Sequence, residues 1–232
     1  MPVSAQILSQ LPLLKSLPEP TLDALSKTMF LRSFQRRETV FSKEEKPKTL
    51  GFLISGRLQG LDFTVDGRSV GLYFVDPLDY FGELAVIDNL PPSEYVVAAA
   101  PSNVAFLDAE LARDLFTSQS NIGRAVMVRL ATRTRAVLAQ RTLLALPNPF
   151  QRLCVLLQQL AQKEDSQQAT IRNVPTHQEL AMMINASRET VTRAFQVLFF
   201  QKDLARVGND LHVLKADNVK AYAEGRSNPM RS

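Results

Sequence analysis

The sequence predicts an α+β fold made of a unit of short strands, one long helix and a C-terminal pair of short helices. Three observations predict it. Short apolar runs separated by Gly, Pro and Asp-Gly fill residues 30–108, and helix formers run without proline over residues 120–146. A helix-turn-helix spacing follows at residues 176–200. With 232 residues, 45% of them hydrophobic, the chain is long enough for two domains with their own cores.

The first third of the chain changes from helical to strand character near residue 30. Residues 7–29 have apolar residues at helical spacing and three prolines that interrupt it, so they predict short helices. Runs such as LGFLISG and SVGLYFV then predict short strands. Several short strands with frequent turns are typical of a sandwich, a roll or a small barrel.

A hairpin and a short helix are predicted within and after these strands. Asp66-Gly67 lies between FTV and RSVGLYF, and we expect a type I′ turn, which needs positive φ at both central residues. Residues 110–116 predict a short helix that closes the unit.

Residues 120–146 predict one long helix with a narrow apolar seam. Its apolar positions are Leu130, Val137 and Leu144, seven residues apart, preceded by Ile122 and Val126. Arginines occupy many of the other positions, as is typical of a helix that pairs with a copy of itself. Arg133 and Gln140 interrupt the seam, so a plain amphipathic helix within its own domain remains the alternative. Pro147-Asn148-Pro149 ends the helix, and residues 150–163 predict another amphipathic helix.

Residues 176–200 carry the most informative motif. Thr176 with Glu179 three residues later predicts a capping box at a helix start. Asn185 stands where the chain must turn, and Asn tolerates left-handed geometry. Ser187 then caps a second helix. The alternative is an ordinary helical hairpin with solvated charges, in which Glu189 and Arg193 form only a pair one turn apart.

The second helix of this motif has one apolar face and one polar face. At about 100° per residue, Val191, Ala194, Phe195 and Leu198 share one side. Arg188, Glu189 and Arg193 lie on the other side near the N-terminal end, the end that enters the major groove in a recognition helix. Arg pairs with guanine and Glu accepts from cytosine, so these three side chains are candidate base contacts. Candidate phosphate contacts at the two helix starts are Thr176, Gln178, Ser187 and Thr190.

The residues after this motif predict a hairpin and no metal centre. The segment DLARVGNDLHVL reads as two strands around Gly208-Asn209, and Arg206 is placed to contact a phosphate. His177 and His212 are too few for a metal site with a single cysteine, and we expect both at the surface. We expect that cysteine, Cys154, to be a small core residue.

Charge is distributed unevenly along the chain. Residues 1–120 hold 11 Lys and Arg against 15 Asp and Glu, whereas residues 121–232 hold 16 against 8. The second half is therefore net basic by eight charges, which favours a polyanionic partner.

Several classes of protein are disfavoured. The sequence has no P-loop, no G-x-S-x-G and no Cys/His couple, so we do not expect an enzyme. No run of 18 uncharged apolar residues and no signal peptide are recognised, so we expect a cytoplasmic protein without a membrane span.

NASRETVTRAFQVL resembles the recognition-helix signature of the CRP/FNR family of bacterial transcription regulators. FGELAVIDN, residues 81–89, resembles the family's phosphate-binding cassette, and ISGRL, residues 54–58, resembles part of its β-roll. The resemblance implies a jelly-roll-like sensor domain over residues 1–119 with a cyclic-nucleotide-binding-like fold. It implies a dimerisation helix over 120–146 and a winged helix-turn-helix DNA-binding domain over 147–232.

The resemblance also implies partners. These are double-stranded DNA with a two-fold symmetric operator, a second copy of the chain, RNA polymerase and a small-molecule effector. In members with Arg, Glu and Arg at positions 188, 189 and 193, these residues read a TGTGA-like half-site. An alternative from a different class is a nucleotide-sensing module of a larger signalling assembly, whose C-terminal domain contacts protein.

The effector pocket departs from the pattern of family members that bind cyclic AMP. They follow FGEL with an Arg-Ser pair whose Arg meets the phosphate, whereas this chain has Ser93-Glu94 there. A Glu repels an anionic phosphate, and we expect no Arg to replace the missing one. Gly82 and Glu83 are retained as pocket positions, and the purine contacts fall near Val137 and Leu138, both apolar. We therefore expect no tight binding of cyclic AMP or cyclic GMP; the effector is unknown, with a cyclic dinucleotide one option and no effector another. Neither haem nor an iron–sulfur cluster is expected, because the cysteines for a cluster are absent.

Overall fold

The computed structural model describes residues 3–44, 48–163 and 169–230. The chain divides into two compact units, Met1–Thr134 and Arg135–Ser232. Helices and strands are both present in each unit, which confirms the predicted α+β class. Among the described residues, no helix is long and apolar enough to cross a bilayer.

The first unit begins with two short helices and continues as a β-roll. The helices are α1 (Ala5–Leu8) and α2 (Glu19–Thr28). The strands are β1 (Phe30–Phe34), β2 (Thr39–Phe41), β3 (Thr49–Ser55), β4 (Leu58–Phe63), β5 (Ser69–Val75), β6 (Tyr80–Phe81), β7 (Tyr95–Ala98) and β8 (Ser102–Asp108). They form two four-stranded antiparallel sheets, in the orders β1-β8-β3-β6 and β2-β7-β4-β5.

The core of the roll lies between its two sheets. One buried cluster draws side chains from every strand and includes Phe34, Phe41 and Phe81. The rings of Phe41 and Phe81 meet edge to face at 5.0 Å between centroids, an arrangement that aromatic pairs prefer. The closed core fixes the strand ends, and so it fixes the loops that carry the pocket described below.

The predicted hairpin at Asp66-Gly67 is confirmed, but the predicted turn type is wrong. β4 and β5 pair antiparallel up to Phe63 and Ser69. Of the two central residues only Gly67 has a positive φ, at 78°. The amide of Gly67 donates to Thr64 O at 2.8 Å and the amide of Thr64 donates to Arg68 O at 2.9 Å. This is a type I turn closed by a glycine bulge, which needs one left-handed residue instead of two.

Three helices follow or interrupt the roll: α3 (Glu83–Asp88), α4 (Ala109–Ser118) and α5 (Ser120–Leu144). α4 confirms the short helix predicted at residues 110–116, and Asp108 caps it. α5 confirms the predicted long helix and ends two residues early.

The apolar seam predicted for α5 is buried inside the first unit at its N-terminal end and exposed at Val137, and its role in pairing stays a prediction. Ile122 and Val126 are 1% and 4% exposed because they belong to the core of the first unit. Val137, by contrast, is 69% exposed. Arg133 and Gln140 lie four residues before and three residues after Val137, about 40° and 60° around the helix from it, so they flank the seam on the same side.

The described part of the second unit continues α5 with four further helices and a small sheet. Its helices are α6 (Pro149–Leu160), α7 (His177–Met183), α8 (Arg188–Phe200) and α9 (Ala216–Ala223). Its strands are β9 (Gln162–Lys163), β10 (Ala169–Ile171), β11 (Leu204–Val207) and β12 (Asp210–Val213), in the order β11-β12-β10-β9. α6 is shorter than the helix predicted over 150–163, since residues 162 and 163 pair with β10.

Cys154 lies inside α6 with no solvent exposure, which confirms it as a core residue. Burial raises the pKa of its thiol to about 12. The thiolate is therefore scarce at neutral pH, which fits a structural cysteine and not a reactive one.

Candidate nucleic-acid interface and roll pocket

The start of α7 is fixed by the predicted capping box. The amide of Thr176 donates to Glu179 Oε2 at 2.7 Å, and the amide of Glu179 donates to Thr176 Oγ1 at 3.3 Å. Two amides without partners inside the helix are satisfied in this way. Thr176 and Gln178 are exposed at this helix end, where a phosphate could approach.

The turn between α7 and α8 has the predicted geometry. Asn185 has a φ of 48°, the left-handed conformation that Asn tolerates better than most residues. The exposed Ser187 then caps α8, because its Oγ accepts from the amide of Thr190 at 3.1 Å. Thr190 is half-buried, and its hydroxyl lies 3.0 Å from that of Ser187. Of the four predicted phosphate contacts, Thr176, Gln178 and Ser187 are thus exposed.

α8 presents the predicted polar trio to solvent. Val191, Ala194, Phe195 and Leu198 are all buried, at 3% exposure or less. Arg188, Glu189 and Arg193 are exposed on the opposite side. Within the part of the chain that the structure describes, no ion pair within 4.0 Å joins Glu189 to Arg193, although the charge of Arg193 acts on the Glu189 carboxyl. Recognition of base edges in the major groove needs long polar side chains on the exposed face of a helix, near its N-terminal end.

Glu189 is held in its anionic form. Its own backbone amide and the Ser187 hydroxyl lower the pKa of its carboxyl, and the nearby guanidinium groups of Arg188 and Arg193 lower it further. An ionised carboxylate only accepts hydrogen bonds, so it suits the amino group of cytosine and rejects base edges that offer acceptors alone.

His177 is not the surface residue that the sequence predicted. Its ring stacks on Phe195 at 4.8 Å between centroids and 4° between planes, and Nδ1 lies 2.9 Å from Thr192 Oγ1. Burial lowers the pKa of the imidazole, and the charges of Arg206 and Arg188 lower it further. The neutral ring therefore braces α7 against α8. His212 is half-buried beside Thr170, so it is not fully at the surface either.

The predicted hairpin after α8 is present as β11 and β12. The strands pair antiparallel from Leu204 with Val213 to Val207 with Asp210, and Gly208 turns with a φ of 60°. Arg206 is exposed on β11, and its Nε donates to Gly208 O at 3.3 Å. A short exposed hairpin directly after α8 has the geometry of a wing.

Asp203 anchors this hairpin, and sequence reasoning did not find it. Its side chain has no solvent exposure and accepts from Asn218 Nδ2 at 2.7 Å and from the Tyr222 hydroxyl at 3.0 Å. These bonds tie the end of α8 to α9. The sequence signal was weak, because a single Asp after a helix is common in solvent-exposed turns.

The roll carries a small pocket built around the FGEL segment. Gly82 has a φ of 86°, and a Cβ there would lie 2.4 Å from the ring of Phe41, so the position requires glycine. Glu83 is fully buried and forms an ion pair with Arg133 Nη1 at 2.9 Å, while Arg129 Nε lies 3.5 Å away. The residues that line the pocket are Phe41, Gly82, Leu84, Ala85, Pro92, Ser93, Glu94, Val96 and Arg133.

Glu94 places a second carboxylate at this pocket. It is 7% exposed, accepts from the Tyr73 hydroxyl at 2.6 Å and is hydrogen-bonded to Ser93. The structure therefore brings Gly82, Ser93 and Glu94 to one pocket, with Glu83 next to it. The expectation that no arginine would reach it is wrong, because α5 supplies Arg133. That guanidinium is already engaged by Glu83 and stacks over Tyr73 at 4.3 Å.

Val137 and Leu138, the remaining predicted pocket positions, lie in the second unit. They are 69% and 59% exposed. Their role toward an effector stays a prediction.

Two family models match the two halves of this architecture. A cyclic nucleotide-binding domain model matches residues 31–119, and a Crp-like helix-turn-helix domain model matches residues 151–218. The chain belongs to the CRP/FNR family of bacterial transcription regulators. It is accordingly a DNA-binding transcription regulator with a winged helix-turn-helix.

Relatives with described functions are CRP-like regulators. The chain is 28% identical to the CRP-like cAMP-activated global transcriptional regulator of Mycobacterium tuberculosis, over 82% of this chain and 86% of that protein. It is 23% identical to the cAMP-activated global transcriptional regulator CRP of Escherichia coli, over 84% and 94%. Each alignment covers more than four fifths of this chain.

Solved CRP/FNR-type structures share the fold. FixK2 from Bradyrhizobium japonicum superposes with a TM-score of 0.71 at 16% identity, over 84% of this chain and 96% of that one. The c-di-GMP responsive global regulator CLP of Xanthomonas campestris superposes with a TM-score of 0.62 at 21% identity, over 81% and 94%. At these identities the likeness establishes the architecture only.

Proposed function

We propose that this CRP/FNR regulator acts as a homodimer on a two-fold symmetric operator with TGTGA-like half-sites. The observation that carries the proposal is the exposed trio Arg188, Glu189 and Arg193 at the start of α8. Arg188 and Arg193 each offer a planar fork for guanine O6 and N7, and Glu189 offers an acceptor for cytosine N4. Thr176, Gln178, Ser187 and Thr190 supply the phosphate contacts from the two helix starts.

The test is a base-specificity measurement on Arg188→Ala. Removing a bidentate base contact costs about 1–3 kcal/mol on the preferred half-site and relaxes specificity at one base position. Binding to a set of duplexes with every substitution at each half-site position measures both effects. Arg124→Ala, an exposed arginine on α5, is the matched control and keeps the wild-type specificity. Equal weakening on every duplex would mean that Arg188 contacts only phosphate.

The dimer is proposed to form along α5. Met127, Leu130, Thr134, Val137, Arg141 and Leu144 follow the alternating three- and four-residue spacing of a coiled-coil seam. The side chains of Met127 and Val137 are 65% and 69% exposed. Apolar side chains this exposed on one helix fit a surface that a second copy of the chain would cover. This supports the division into a sensor domain over 1–119, a dimerisation helix over 120–146 and a DNA-binding domain over 147–232.

The effector of the roll is proposed to be a molecule other than cyclic AMP. Two buried carboxylates, Glu83 and Glu94, face or adjoin the pocket, and the arginine that lines it among the described residues, Arg133, is paired with Glu83. An entering phosphate would meet repulsion from Glu94 and would compete with Glu83 for Arg133. Isothermal calorimetry is expected to give millimolar or weaker affinity for cyclic AMP, and a micromolar constant would contradict the proposal. RNA polymerase is the proposed partner of the DNA-bound dimer.

A further inference from the structure

The last carbonyl of α7 and a carbonyl in the turn after it receive hydrogen bonds from α5 and α6. Gln140 Nε2, on α5, donates to Met183 O at 2.6 Å. Arg152 Nη2, on α6, donates to Asn185 O at 3.4 Å. The last carbonyls of a helix have no partner within it and carry the negative end of its dipole, so Gln140 meets an unsatisfied acceptor at Met183, while Arg152 binds the turn that follows.

Gln140 joins the exposed seam of α5 to the start of the recognition helix. It lies three residues after Val137, about one turn along the same helix. Its acceptor, Met183, is 7% exposed and lies five residues before Arg188. The intervening turn is short and is fixed by the left-handed Asn185 and the Ser187 cap. A change in the position of α5 near Gln140 is therefore passed to α8 through one hydrogen bond and a rigid turn.

We propose that Gln140 is a positioning residue that sets the angle of α8 relative to α5. The inference rests on the proposed function, because the angle matters only when two recognition helices must meet two half-sites at once. Half-sites one helical turn apart demand a fixed separation of the two helices. With Gln140 intact, the dimer holds its two recognition helices at that separation before DNA arrives, so the second half-site binds with little further ordering cost.

The test compares a full operator with a single half-site. Gln140→Glu keeps the length of the side chain but removes the N–H donor and places an anionic oxygen against Met183 O. Gln140→Ala removes the contact altogether. Gln159→Ala, an exposed glutamine on α6, is the matched control. The probes are a duplex with two inverted TGTGA half-sites, the same duplex with one half-site scrambled, and one with an extra base pair between the half-sites.

We expect the Gln140 variants to lose affinity for the full operator and to keep their affinity for the single half-site. Both Gln140 variants bind the full operator about three- to tenfold more weakly than wild type, the effect of losing one hydrogen bond. They bind the half-site duplex as wild type does, because Arg188, Glu189 and Arg193 are untouched. They also tolerate the extra base pair better than wild type, since their recognition helices are no longer held at one separation. Gln159→Ala matches wild type on all three duplexes.

Three other outcomes would contradict the role of Gln140, and they distinguish its failure from failure of the proposed homodimeric function. Equal weakening on the full operator and the half-site would show that Gln140 merely stabilises the helix-turn-helix and would overturn the inference. Wild-type behaviour of both variants on all duplexes would also overturn it. If wild type gains nothing from the second half-site, the proposed homodimeric function itself is wrong, and the inference falls with it. Thermal unfolding of each variant checks that the fold is retained.

Discussion

At the scale of single residues, the functional surfaces depend on where a few charged side chains are buried and where they are exposed. The trio on α8 is charged and exposed, so its charges are available to a partner. Glu83 is charged and buried, so it must be paired inside the molecule. Arg133 supplies that pair at 2.9 Å, and Arg129 adds contacts to Asp79 Oδ1 and Tyr80 O, each at 2.5 Å. The charge of Arg133, which lines the pocket of the first unit, is therefore already balanced by a carboxylate of the protein.

Removing one partner of the Glu83–Arg133 pair is expected to be costly. Arg133→Ala leaves a fully buried carboxylate with only Arg129, 3.5 Å away, to balance it. We expect a loss of about 3 kcal/mol, the lower end of the range for breaking a buried pair, because Arg129 remains. Urea unfolding followed by far-UV circular dichroism measures it, since the sequence contains no tryptophan to report by fluorescence.

The double variant Glu83→Gln with Arg133→Met is the control for this prediction. It removes both charges at similar volume, so most of the stability returns. A single Arg133→Ala variant as stable as wild type would show that the carboxylate is solvated or protonated at little cost.

At the scale of elements, local sequence patterns located the helix caps and the turn between α7 and α8. They missed contacts between residues that are far apart in the sequence. The capping box, the left-handed Asn185 and the Ser187 cap are local signals, and all three are confirmed. Arg133 and Gln140 looked like interruptions of the α5 seam. Their acceptors, Glu83 and Met183, lie 50 and 43 residues away in the chain, so no local pattern could assign them. The same holds for Asp203, whose partner Tyr222 lies 19 residues away.

The seam of α5 gives a prediction with a matched control on the same helix. Val137→Arg is expected to weaken dimerisation, because it places a charge on a seam position that is 69% exposed in the single chain. Val128→Arg makes the same change at a residue that is 59% exposed but lies on another face of α5. Sedimentation over a concentration series measures the dimer, and we expect at least a tenfold weaker association for Val137→Arg alone. Equal effects of the two variants would exclude this seam as the interface.

At the scale of the whole molecule, charge separates the chain into an acidic first half and a basic second half. Residues 1–120 carry a net charge of −4 and residues 121–232 a net charge of +8. The exposed cations near the recognition helix are Arg188, Arg193 and the wing residue Arg206. Because DNA carries a condensed layer of counterions, each cation that neutralises a phosphate releases part of that layer, and operator binding must weaken as salt rises.

The salt dependence of operator binding therefore tests the dimer and the wing together. Arg206 is the cation placed to contact a phosphate, and about 0.9 ions released per contact means that the two wings of the dimer contribute about −2 to the slope of log affinity against log salt. Arg206→Ala is expected to make that slope shallower by about two, one contact for each half of the dimer, while base specificity is kept. A change of about one would indicate a single engaged wing. A flat salt response in the wild-type protein would instead favour a signalling module whose C-terminal domain contacts protein, because protein surfaces carry no condensed counterion layer to release.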